Sequence, residues 1–158
     1  MNRLALVLWL LALASSVHAA TTCRVTRSGT LSFGSYDVMS PTPSDSLLNV
    51  DVACDRRGGP QRVTVMMRLG LGNGPAVNAR RLVHTGGTGE YLQYGLFRDI
   101  ARSSVWGYSD GVDTVARELA VPNNSSATAT FVIYGRIQPQ QDVPVGIYTD
   151  SVQISITP

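Results

Sequence analysis

The chain has 158 residues, with 13 arginines and no lysine against 11 acidic residues, a formal net charge of +2. The arginines are scattered, or paired as Arg56-Arg57 and Arg80-Arg81, which gives no electrostatic case for nucleic acid; the pairs read as solvated loop or strand-edge charge. The length is one domain's worth and sufficient to bury a core.

The chain opens on an export signal over residues 1–19. Arg3 supplies the positive start, Leu4 to Ala14 is apolar throughout, and Val17-His18-Ala19 offers a small-residue cleavage site before Ala20. The apolar run is too short for a membrane anchor, which needs roughly 20 residues. Residues 20–158 are then the exported domain. Its two cysteines, Cys23 and Cys54, form an even count in an exported chain and read as a disulfide. Closing a loop of roughly 30 residues stabilises by about 3–4 kcal/mol on the chain-entropy account.

Strand signals follow one another from there. Leu31 to Gly34 is a short candidate. Leu48, Val50, Val52 and Cys54 alternate, so the Cys54 sulfur points to the buried side. Val63, Val65, Met67 and Leu69 alternate against Arg62, Thr64, Met66 and Arg68. Arg80 to Val83 and Tyr91 to Arg98 follow, then a weaker run from Asp113 to Val121. The C-terminal third is the clearest. Ala127, Ala129, Phe131 and Ile133 share one side of a pleat, and Tyr148, Val152, Ile154 and Ile156 share one side of the next. Between these two runs lie Pro139, Pro144 and Gly146. Pro41 to Ser46, Arg57 to Pro60, Gly70 to Pro75 and Thr85 to Gly89 supply the breaks. About seven short strands without a helical face imply an all-β sandwich or barrel.

Catalytic constellations are scarce. His84 lacks an orienting carboxylate and a nucleophile motif, and as the one histidine after the signal it gives no metal-ligand set with the cysteines. Glu90 and Glu118 have no spacing that pairs them for acid–base work. The glycine-rich runs at Gly70 to Gly74 and Gly86 to Gly89 open no helix and precede no lysine, so they do not cradle phosphate. The reading is a non-enzyme with no cofactor and no metal.

Several segments resemble the spore coat protein U domain family, which includes subunits of archaic chaperone–usher (Csu-type) pili. They are Cys23-Arg24-Val25, Leu31 to Asp37, Val50 to Cys54, Leu92 to Asp99, Ala101 to Gly107, Tyr134 to Ile137 and Pro144 to Asp150. Together, in order, they cover nearly the whole of residues 20–158. The resemblance implies an immunoglobulin-like β-sandwich lacking its last strand and completed by a donated one. A periplasmic chaperone lends that strand first, and a neighbouring pilus subunit replaces it at the outer-membrane usher. The apolar rows at Phe131 and Ile133 and at Val152, Ile154 and Ile156 are the expected flanks of the groove.

Shaft subunits of the family carry an alternating donor extension before the first cysteine. Here Ala20, Thr21 and Thr22 stand between the cleavage site and Cys23, and at about 3.3 Å per residue three residues cannot fill such a groove. The expectation is a strand-accepting subunit at the fibre tip, on the cell surface, with a role in attachment or biofilm formation. Met39, Leu71, Trp106 and Tyr108 are the apolar loop residues expected to meet a surface. The alternative is a free secreted β-sandwich binding domain, for instance for carbohydrate, that never enters a fibre.

Overall fold

The computed structural model describes residues 20–158; the expected export signal lies outside them. Nine strands make up the regular structure of the described residues: β1 (Thr21–Arg27), β2 (Ser44–Arg56), β3 (Gln61–Leu69), β4 (Arg80–His84), β5 (Tyr91–Phe97), β6 (Val115–Val121), β7 (Ser126–Ile137), β8 (Tyr148–Thr149) and β9 (Ile154–Thr157). They form two sheets, a larger one in the order β1-β2-β7-β5-β4-β8 and a smaller one in the order β6-β3-β9. Every pairing is antiparallel.

The alternation in sequence sets which faces meet. Val50, Val52 and Cys54 of β2, Phe131, Ile133 and Ile137 of β7 and Leu92, Tyr94 and Leu96 of β5 point inward from the larger sheet. Val63, Val65, Met67 and Leu69 of β3 and Leu119 and Val121 of β6 answer from the smaller one. Burying each such side chain contributes about 1.5–3 kcal/mol. Cys23 stands opposite Cys54 in the β1–β2 register, and the two are bonded. The bridge ties the edge strand β1 to its neighbour β2.

Trp106 lies between the sheets at 1% exposure. Its indole N–H donates to the Met67 carbonyl at 3.1 Å, and its ring packs on Phe131 with centroids 6.3 Å apart. It cannot reach a surface, so its place among the adhesion candidates is withdrawn.

Arg80 departs from expectation in the same direction. It is fully buried rather than solvated at a strand edge. Its guanidinium donates to the carbonyls of Leu69, Gly70, Val77 and Trp106 at 2.8–3.2 Å, which fastens the end of β3, the 70–79 loop and the β5–β6 connection at one point.

Six strands against three leave part of the larger sheet's inner face without a facing sheet. The segment 28–43 crosses that uncovered part. Leu31 and Phe33 lie directly over Gly135 of β7, where a Cβ would come within 2.8 Å of both side chains. Phe33 also meets the Tyr94 ring edge-on at 6.0 Å. The expected strand at Leu31 to Gly34 does not form. The run keeps the alternation, with Leu31 and Phe33 inward, but has no ladder partner among the described residues.

Candidate functional site: an open groove between the sheets

β9 pairs with β3 along one edge, and its other edge carries no strand among the described residues. β1 is likewise paired on one side, with β2. β1 and β9 lie in contact with each other, and the sandwich opens just beyond β1, beside β9. One bank is Gly29 to Phe33 and the other runs from Asp150 through Val152 to Ile154; Leu48, Leu82, Leu96 and Ile133 form the floor of a cavity of about 310 Å³. Thr30, Leu31, Phe33 and Leu82 also line a second, wider cavity of about 720 Å³, so the two run together. The wider section passes between Thr30–Val38 and Val143–Tyr148 over Leu82, Leu92 and Ile137. Leu31, Phe33, Leu48, Leu82, Val152 and Ile154 are each only half-buried although they pack on the core. A closed sandwich buries such residues. At the rim Val145 is fully exposed and Ile147 is 69% exposed.

Of the residues expected to flank this groove, Ile133, Val152 and Ile154 come together in it. Phe131 does not: it is completely buried beneath Trp106. Ile156 lies farther along β9, opposite Met67, half-buried against the core and outside both cavities. Leu31, Phe33, Leu82 and Ile137 were not foreseen as groove residues. The alternation of Leu31 and Phe33 in an otherwise isolated run was the one available signal for two of them.

The narrow section is not purely apolar. The Asp150 carboxylate accepts from the Tyr94 hydroxyl at 2.7 Å and from the backbone N–H groups of Asn73 and Ser151 at 2.8 and 2.7 Å. Burial, and then the bond to Asp150, push the Tyr94 hydroxyl far above the ordinary tyrosine range, so it stays a donor. Burial pulls Arg80 down from its ordinary value, with Tyr94, Asp150 and Asp113 opposing that shift. Gly72 sits against Asp150 with φ +63°; a Cβ there would lie 2.1 Å from the carboxylate. Only glycine holds that turn at that approach.

The remaining adhesion candidates are on loops. Met39 is 80% and Tyr108 52% exposed, while Leu71 is half-buried beside the 70–74 turn. His84 accepts the Gly86 N–H at Nδ1 and stacks edge-on against Tyr148 at 5.0 Å, a packing role.

The family model described as Spore Coat Protein U domain matches residues 10–155. Protein U of Myxococcus xanthus is 32% identical over 138 residues, covering 82% of this chain and 72% of that protein. Among solved structures, the chain is similar to one in the CsuC–CsuE chaperone–tip adhesion subunit pre-assembly complex from archaic chaperone–usher Csu pili of Acinetobacter baumannii. The TM-score is 0.55 at 16% identity, over 87% of this chain and 40% of the length of that one, a likeness of fold. The family match over nearly the full length, the identity to Protein U and the shared two-sheet sandwich make this chain a member of the Spore Coat Protein U domain family.

Proposed function

We propose that this chain is an exported, strand-accepting subunit of a chaperone–usher pilus, with a structural and adhesive role and no catalytic one. The observation that carries the reading is the groove: half-buried apolar residues over the core, beside the edge of β9 that has no partner among the described residues. An edge strand with free N–H and C=O groups over an uncovered core is a template for another strand. An extended segment laid there gains a backbone ladder, and its alternate side chains fill the floor. The similarity to a chaperone-bound Csu subunit supports a periplasmic chaperone as the first occupant, a neighbouring subunit as the second and an outer-membrane usher as the site of exchange.

The finer reading is placement at the fibre tip, with surface attachment or biofilm formation as the outcome. Thr21 to Arg27 are already committed to the chain's own larger sheet, and Cys23 in their midst is bonded to Cys54. Met39, Leu71 and Tyr108 are the loop residues assigned to surface contact.

Periplasmic co-expression with a candidate chaperone tests the central claim. The expected result is a stable one-to-one complex and degradation or aggregation of the subunit expressed alone. A well-behaved monomer that ignores every chaperone offered would count against it, and would favour a free secreted binding domain.

A further inference from the structure

Resting on the strand-acceptor reading, we propose that the groove contains a polar selection step. Its narrow section, walled by Asp150 and Tyr94, selects an incoming strand with a hydrogen-bond-donating side chain at one inward position. Serine, threonine or lysine meets that requirement. The wide section, lined by Phe33, Leu82, Leu92 and Ile137, takes large apolar side chains.

The argument is an inventory of acceptors. An ionised carboxylate offers about four acceptor sites on its two oxygens. Oδ1 of Asp150 is filled by the N–H groups of Asn73 and Ser151, whereas Oδ2 receives the Tyr94 hydroxyl alone. Asp150 enters none of the ion pairs among the described residues. The Gly72 turn stands against one side of the carboxylate, nearest Oδ2. Asp150 also lines the narrow section of the groove, from which an inward side chain can approach the carboxylate. The Tyr94 oxygen, which donates to Asp150, keeps its own acceptor capacity on the same wall. A strand that places a valine or leucine here seals that acceptor from water without a partner, which is unfavourable. A hydroxyl or ammonium satisfies it, and a second carboxylate is repelled.

The test uses the mature protein bound to its chaperone and a set of synthetic peptides with valine at alternate positions and threonine between. Each inward valine is replaced in turn by threonine, lysine or aspartate, and chaperone release is timed. The expected result is a single inward position where threonine and lysine exchange about tenfold faster than valine, and aspartate slower. In Asp150→Asn the lysine advantage at that position should vanish, and in Tyr94→Phe, which leaves Oδ2 wholly free, it should persist or grow. If either variant fails to fold, the scan on the unaltered chain decides alone. Exchange by all peptides with no preference at any position overturns the selection step and leaves the acceptor reading standing. Failure of every peptide to displace the chaperone overturns both.

Discussion

A buried guanidinium without a carboxylate in contact is the strongest residue-scale commitment in this molecule. Arg80 meets its charge with four backbone carbonyls instead of one acid. Its removal would leave those carbonyls unpaired in a dry place, so Arg80→Met should destabilise by roughly 3 kcal/mol or more. Arg80→Lys should recover little, because an ammonium cannot reproduce the planar fork. A urea melt of the oxidised protein measures both. Asp45 gives a second prediction. The hydrogen bonds from Arg136 hold its carboxyl below the ordinary 3.8, with the charges of Arg102 and Arg136 adding to the effect against a desolvation cost. A carboxylate depressed in the folded state contributes stability above its unfolded pKa and loses it as pH falls through the folded value. Between roughly pH 5 and pH 2, thermal stability should therefore fall less steeply in Asp45→Asn than in the unaltered protein. Parallel slopes in the two proteins would show that Asp45 is not a source of the acid sensitivity.

At the scale of elements, β9 carries the weight. Ile154→Asp places a charge in the groove wall and against the core, while Gln153→Asp one residue earlier is exposed. The first should abolish chaperone binding and lower periplasmic yield, and the second should leave both near normal; equal behaviour would argue against an inward β9. The alternating runs of β2, β3, β5, β7 and β9 were legible because each buries one face, and burial is what period-two hydrophobicity records. Three features were not. β1 is polar outside Cys23 and Val25, so its pairing with β2 leaves almost no apolar trace. Arg80 and Arg81 look alike in sequence, since the carbonyls that hold Arg80 come from residues 69, 70, 77 and 106 and carry no side-chain signature. Leu31 to Gly34 has the alternation of a strand without a ladder. Alternation reports which side is buried and is silent on whether a neighbouring backbone exists. On the strand-acceptor reading, that neighbour is supplied by another chain.

For the whole molecule, the tip assignment predicts one copy per fibre at the free end by immunogold labelling; label distributed along the shaft would refute it. The sheet order has a further consequence, for the speed of folding. Val50 pairs with Phe131, and Met67 with Ile156. Most of the sandwich is thus closed by partners far apart along the chain, and the entropy of closing long loops must be met before these pairings stabilise anything. On the export reading, a polypeptide threaded through a membrane from its amino end delivers β3 long before β9, so the edge at Met67 and Leu69 waits bare until the last strand arrives. Refolding from urea should accordingly fall in the slow, millisecond-to-second range of β-sandwiches. The interval before β9 arrives is when the emerging chain most needs an escort.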